Sequence, residues 1–183
     1  SKIPVPISPF FVFSLFEKES FDDSKWEVAH VYKNADYILR KSPIQPLCMY
    51  LKKPIYTERK GEVLFVDFGQ EMVGYLRAKA KGKQGDKVLL RFGEELNPDG
   101  SVRFDMRCNC RYEEEWILSG KEDVLDQFDY KAFRYCEIMI PEGASVRDVE
   151  MQVRHYPYEK KAVYETQNEK LKEVLRLCEN TIK

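Results

Sequence analysis

The sequence predicts an all-β protein, an antiparallel β-sandwich or jelly roll, followed by one C-terminal helix. Three observations carry that prediction. Runs rich in Val, Leu, Phe and Tyr succeed one another from residue 63 to residue 155, separated by turn signals and by no helical stretch. Val149, Met151, Val153 and His155 alternate with Glu150, Gln152 and Arg154, the period of a strand with one covered face. From Asn168 the period lengthens, and Leu171, Val174, Leu175, Cys178 and Ile182 fall on one side of a helix.

The centre of the chain is Gly61–Arg77. It reads as two paired strands, Val63–Phe68 and Met72–Lys79, joined by a polar turn at Gly69-Gln70-Glu71. Gly69 can take the positive φ of a bend, and Gly74 inside a strand signals a bulge or a close approach of another backbone.

In chain order, residues 1–20 form a Pro-punctuated lead-in with an aromatic run, Pro9–Phe16, that reads as a buried strand or a docking patch. Residues 21–166 form the sandwich domain. It opens with the turn Phe21–Trp26 and a strand-like Trp26–Tyr32. Three prolines in Leu39–Pro54 forbid a central strand or a helix interior, so this stretch reads as an extended connection. Further along, Lys81–Asp86 is a turn and Lys87–Leu96 a strand with Val88, Leu90 and Phe92 on one face. Asn97-Pro-Asp-Gly100 is a turn in which Pro presets φ. Arg111–Leu118 alternates weakly, and Phe128–Ile140 is the longest strand candidate. Residues 167–183 form the helix, with Asn168 as N-cap and Glu169 placed favourably for the helix dipole. Its apolar stripe continues to the final residues, the pattern of a helix that belongs to a longer protein.

Composition narrows the function classes. With 43% apolar and 33% charged residues in 183, the chain is long enough for one good domain. A net charge of −1, with no dense Lys/Arg block, argues against nucleic acid as a partner. No apolar run has the length of a membrane span. Five cysteines, odd in number and irregularly spaced, argue against a disulfide framework and favour a reducing compartment such as the cytoplasm.

Acidic residues are abundant enough to raise the question of an intrinsic active site. Glu94 and Glu95 point to opposite faces of a strand; Glu113 and Glu115 would share one, with the spacing that glycosidase carboxylates use. A solvated strand face gives the same spacing, so no catalytic residue is assigned. Asp105, Asp123 and Asp126 are dispersed over turns, which leaves a Ca²⁺ site of the lectin type as the lesser alternative. Cys108-Asn-Cys110 lacks the second ligand pair that zinc requires. With His30 and His155 alone, a His-based triad has little to work with. No cofactor and no metal is expected. Flat rings on a sheet face can pack on the C–H face of a pyranose. Tyr75, Tyr112, Trp116 and Tyr135 are the candidates, with Arg77 and Arg134 as hydroxyl partners, against core filling and cross-strand pairing as the structural alternative.

One succession of motifs carries a resemblance. Phe21-Asp-Asp-Ser-Lys-Trp26, Leu39-Arg40 with Ser42-Pro-Ile44, and Val66-Asp-Phe-Gly-Gln-Glu-Met-Val-Gly-Tyr-Leu-Arg77 occur in order. They precede Gly85-Asp-Lys-Val88, Arg91–Gly100, Phe128-Asp-Tyr130, Phe133-Arg-Tyr135 and Glu179-Asn-Thr-Ile182. The succession resembles the non-catalytic, concanavalin-like β-sandwich region of bacterial α-L-rhamnosidases, glycoside hydrolase family 78. The resemblance implies a parent enzyme of inverting mechanism, with its two carboxylates on an (α/α)₆ barrel that follows the sandwich. It makes residues 167–183 a linker toward that barrel, absent from this chain, and makes the barrel the domain's partner. A rhamnose-containing glycan is a second implied partner. The chain alone is expected to be inactive, and an independent carbohydrate-binding module is the alternative reading.

Overall fold

The computed structural model describes residues 20–31, 37–125 and 127–182. Two compact units are distinguished, Ser1–Pro43 and Ile44–Lys183. In the first, Asp22 accepts the Ser24 backbone N–H at 3.0 Å. The Trp26 N–H reaches the Asp23 carbonyl at 2.8 Å, and the Trp26 ring meets Phe21 edge-on. The strand expected over Trp26–Tyr32 does not form over its described part; the local turn occupies the Trp26 N–H, and the residues after it carry no strand pairing. The Pro9–Phe16 run lies outside the described residues.

The second unit holds eight strands: β1 Cys48–Lys52, β2 Tyr56–Lys60, β3 Val63–Lys81, β4 Lys87–Gly93, β5 Glu113–Ile117, β6 Glu122–Val124, β7 Lys131–Met139 and β8 Ser145–His155. Among the described residues one α-helix, α1, spans Glu169–Ile182. Every strand pair is antiparallel.

Strand β3 organises the sheet, and it corrects the sequence reading. The two runs at Val63–Phe68 and Met72–Lys79 do not pair with each other; they are one strand of 19 residues. Where a hairpin turn was expected, there is a register shift against β7 between Asp67 and Met72. Gly69 sits there at φ +80, so the polar triplet builds a bulge rather than a reversal.

The neighbours of β3 show how one strand makes two layers. Gly74 pairs with Lys131 of β7 on one edge and with Val153 of β8 on the other. Residues 63–67 pair with both β2 and β7, so β2 shares the edge of β8; residues 79–81 pair with both β6 and β8, so β6 shares the edge of β7. Within the one hydrogen-bonded sheet of eight strands, the first half of β3 thus belongs to a layer β2-β3-β7-β4-β5 and the second half to a layer β1-β8-β3-β6. Val66, Phe68, Val88, Leu90, Phe92, Phe133 and Ile138 from the first layer pack in one core with Leu76, Ala78, Ala80, Met151 and Val153 from the second. This is an antiparallel β-sandwich. The Phe133 ring stands edge-on to Phe68 and Phe92 at centroid distances of 5.8 and 5.0 Å.

Gly74 does what its position in the sequence suggested. A Cβ there would lie 2.4 Å from the Gln152 carbonyl oxygen, so only glycine lets β8 come alongside. The Leu39–Pro54 stretch contains strand β1, which pairs with β8 alone. The prolines at 43, 46 and 54 flank this edge strand, where a missing N–H costs little. Strand β2 had no clear signal, since Tyr56-Thr-Glu-Arg-Lys60 is polar and mostly exposed. Val88, Leu90 and Phe92 are buried as expected, and β3, not Phe128–Ile140, is the longest strand.

Helix α1 starts where the cap predicts, with the Leu171 N–H on Asn168 Oδ1 at 3.3 Å and a Lys172–Glu169 ion pair at 2.7 Å in its first turn. None of its residues is buried. Leu171, Val174, Leu177 and Ile182 stay 45–63% exposed.

Candidate functional site

The six residues singled out for sugar contact do not converge on one place. Trp116, on β5 opposite Val88, is 5% exposed and fills the core, so its ring offers no face to a ligand. Tyr112 packs against the same core from the loop before β5; burial pushes its hydroxyl pKa up, and the nearby Cys110 and Glu94 add to the shift. Both follow the structural alternative stated for them.

Arg134 and Tyr135 lie on β7 beside the bulge. Arg134 holds Asp67 through two parallel bonds, Nε to Oδ1 and Nη2 to Oδ2, each 2.9 Å. Tyr135 stacks on Phe65 at 5.9 Å. The hydrogen bonds from Arg134 hold the Asp67 carboxyl below the usual range against the opposing effect of burial, and the Gly69 N–H adds to the lowering. Tyr135 is the register partner of both Asp67 and Gly93. The segments Asp67-Phe-Gly-Gln, Phe92-Gly-Glu-Glu and Phe133-Arg-Tyr, far apart in sequence, are therefore neighbours across three strands.

Tyr75 and Arg77 lie on the other layer, on the outward side of β3, opposite Gln152 and Glu150 of β8. The Tyr75 hydroxyl accepts from Arg154 Nη1 at 2.7 Å, and the Arg154 guanidinium sits 4.2 Å from the Tyr130 ring centroid. Arg77 Nη1 donates to Gln152 Oε1 at 3.2 Å. Two shallow grooves meet at Arg77. One, of about 300 Å³, is bordered by Met49, Tyr75, Gln127, Phe128 and Gln152; the other, of about 580 Å³, by Leu51, Lys53, Lys79, Asp148 and Glu150.

The carboxylates considered as an acid–base pair are engaged elsewhere. Glu113 accepts from Arg91 Nε at 2.7 Å and also pairs with Arg111; the Arg91 bond leads in holding its pKa down, so it stays ionised and cannot serve as a proton donor. Glu115 pairs with Lys87 at 2.9 Å. Between them Glu114 turns inward to Lys131 and Gln127, and Gln127 accepts the Leu76 N–H at 2.8 Å. This buried polar set ties β3, β5 and β7 together. Asp123 accepts the Ser119 N–H at 2.9 Å; Asp126 lies outside the described residues. Among the described residues, no three His, Cys, Asp or Glu side chains gather as metal ligands would.

Comparison with known proteins decides the family. The model of the bacterial α-L-rhamnosidase concanavalin-like domain matches residues 57–155, more than half of the chain and all strands from β3 to β8. The chain belongs to that family.

This rhamnosidase sandwich domain is 34% identical over 102 residues to an α-L-rhamnosidase of Streptomyces avermitilis, covering 54% of this chain and 10% of that protein. A crystal structure of the Streptomyces avermitilis enzyme, complexed with L-rhamnose, superposes with a TM-score of 0.57 at 26% identity, over 71% of this chain and 13% of that one. The α-L-rhamnosidase from Dictyoglumus thermophilum shares the fold, with a TM-score of 0.59 at 22% identity over 72% of this chain and 16% of its own. The domain spans about a tenth of the length of the curated relatives it matches.

Sequence reasoning missed Gln152, Phe128 and Met49, which border the Tyr75 groove. For Gln152 a signal existed. The alternation along β8 sets it outward beside Arg154, and a β8–β3 pairing in register would have placed it opposite Tyr75.

Proposed function

We propose that this chain is an accessory β-sandwich within an α-L-rhamnosidase, one that buttresses a catalytic (α/α)₆ barrel and takes no part in bond cleavage. The observation that carries the reading is the share of the relatives it accounts for: about a tenth of enzymes named for the whole activity. Local chemistry supports it. Glu113 and Asp67 are held ionised by arginines, which leaves neither of them suited to protonate a leaving oxygen. The exposed apolar stripe of α1, carrying Leu171, Val174 and Ile182, is the kind of surface that a neighbouring helical domain covers. On this reading the parent enzyme hydrolyses terminal α-L-rhamnosides with inversion, one carboxylic acid protonating the leaving oxygen and one carboxylate activating water, both supplied by the barrel.

The test is an assay of the 183-residue chain on an aryl α-L-rhamnoside, beside a longer chain that includes the barrel. The accessory reading expects no aryl release from the short chain and turnover from the long one. Saturable turnover by the short chain overturns it.

A further inference from the structure

We propose that the groove bordered by Tyr75, Arg77, Phe128 and Gln152 is a binding site for one neutral pyranose unit of a glycan. Its volume, about 300 Å³, lies at the lower end of small-molecule sites, which suits a single ring and not an extended ligand. Its polar groups are preset donors. Among the described residues the Arg77 guanidinium makes one hydrogen bond, to Gln152 Oε1, which orients both planar groups side by side. The remaining guanidinium N–H groups and the Gln152 amide N–H groups have no protein partner among the described residues. Two planar donors held next to each other match the vicinal hydroxyl oxygens of a sugar.

The apolar side of the groove complements this. Phe128 is 81% exposed at its lip, Met49 is 51% exposed, and the Tyr75 ring is fixed by the Arg154 bond to its hydroxyl. A ring pinned in place, as that of Tyr75 is, suits the C–H face of a pyranose at low entropic cost. Glu150, the register partner of Arg77, lies on the same outward side and offsets its charge, which favours a neutral ligand over an acidic one. The other polar side chain on the border, Gln127, is already bonded to the Leu76 N–H and Glu114 and serves as a fixed wall.

The groove stands on its own geometry; the choice of L-rhamnose as its first ligand rests on the function proposed above. The experiment is a two-dimensional NMR titration of the 183-residue chain with methyl α-L-rhamnoside, methyl α-D-mannoside and D-glucuronate. Saturable shifts at Tyr75, Arg77 and Gln152 are expected with the rhamnoside, with a Kd of about 1–10 mM. Arg77→Ala and Gln152→Ala, both outside the core, should each weaken binding about 5- to 10-fold while leaving the rest of the spectrum in place. Saturation by the mannoside alone supports the groove and removes the rhamnose assignment. Saturation by glucuronate alone, or by no sugar, overturns the proposal, as do shifts that neither variant affects. None of these outcomes touches the aryl-rhamnoside assay, so the two readings can fail separately.

Discussion

Arg134 closes on Asp67 with both arms of its guanidinium fork, Nε on Oδ1 and Nη2 on Oδ2, at 2.9 Å each. The pair joins β7 to β3 at the place where β3 departs from regular register. A fork–carboxylate contact fixes distance and angle together, so here it sets the bulge as well as a charge balance.

Asp67→Asn should lower stability by about 2 kcal/mol at neutral pH, the scale of hydrogen bonds made to a charged group, with the figure held low because Arg134 is partly solvated. The pH dependence follows from the sign of the shift. The folded-state pKa of Asp67 is lowered, so its contribution is complete above the unfolded value of about 4 and is lost as pH falls through the folded value. Urea midpoints of the parent and the variant should therefore converge once the pH falls below that folded value. A gap that persists in acid contradicts this account.

Gly74→Ala should cost about 3 kcal/mol or more, because the new methyl would meet the Gln152 carbonyl oxygen at 2.4 Å and backbone cannot step aside as a side chain does. Gly85→Ala has open space around it and should lose only about 1 kcal/mol, from its positive φ. Chemical denaturation of the two variants together measures the contrast.

Glu114→Ala leaves the Lys131 ammonium, 10% exposed, without its carboxylate and frees Gln127 at one end. The expected loss is about 3 kcal/mol, the cost of an uncompensated buried charge. Glu115→Ala, which removes a pair more than half exposed on both sides, should change stability by less than about 0.5 kcal/mol. Equal effects would show that the inward pair has no special standing.

Amide exchange should separate helix α1 from the sandwich. No residue of the helix is buried, so its hydrogen bonds should open with low protection while those of β3 and β7 follow global unfolding. Asn168→Ala, which removes the cap, should cut helix content further and leave the sandwich melting unchanged, a cost of about 1 kcal/mol confined to the helix. Protection of α1 equal to that of β7 would mean it is packed.

Cys136 should label with a thiol reagent only after unfolding. It is wholly buried, and burial drives its thiol pKa well up. Cys48 and Cys178 are exposed and should react in the native protein. Native-state labelling followed by peptide mapping reads this directly.

Sequence patterns told most where period and breaker agreed. The alternation at Val88, Leu90 and Phe92, the Asn97–Gly100 turn, the cap at Asn168 and the close approach at Gly74 were all legible, because each is decided by residues near in sequence. What was not legible depends on distant partners. Nothing local says whether Gly69-Gln70-Glu71 reverses the chain or bulges it; that is settled by β7 and β8 holding opposite edges of β3. Trp116 and Tyr75 likewise look alike in sequence, and only the register of β5 against β4 and of β8 against β3 sends one ring inward and sets the other outward. The groove at Arg77 was half visible, since two of its residues were named from their type and the rest arrived with the fold.

The membership of β3 in both layers bears on how the domain can come apart. A two-residue slip of that strand, which would keep every side chain on its proper side, cannot occur in one layer only. It would drag the other layer's ladder with it and carry Gly74 away from the one carbonyl that needs the space. The sandwich is thus indexed at a single notch, and loss of either ladder should unravel both in the same step.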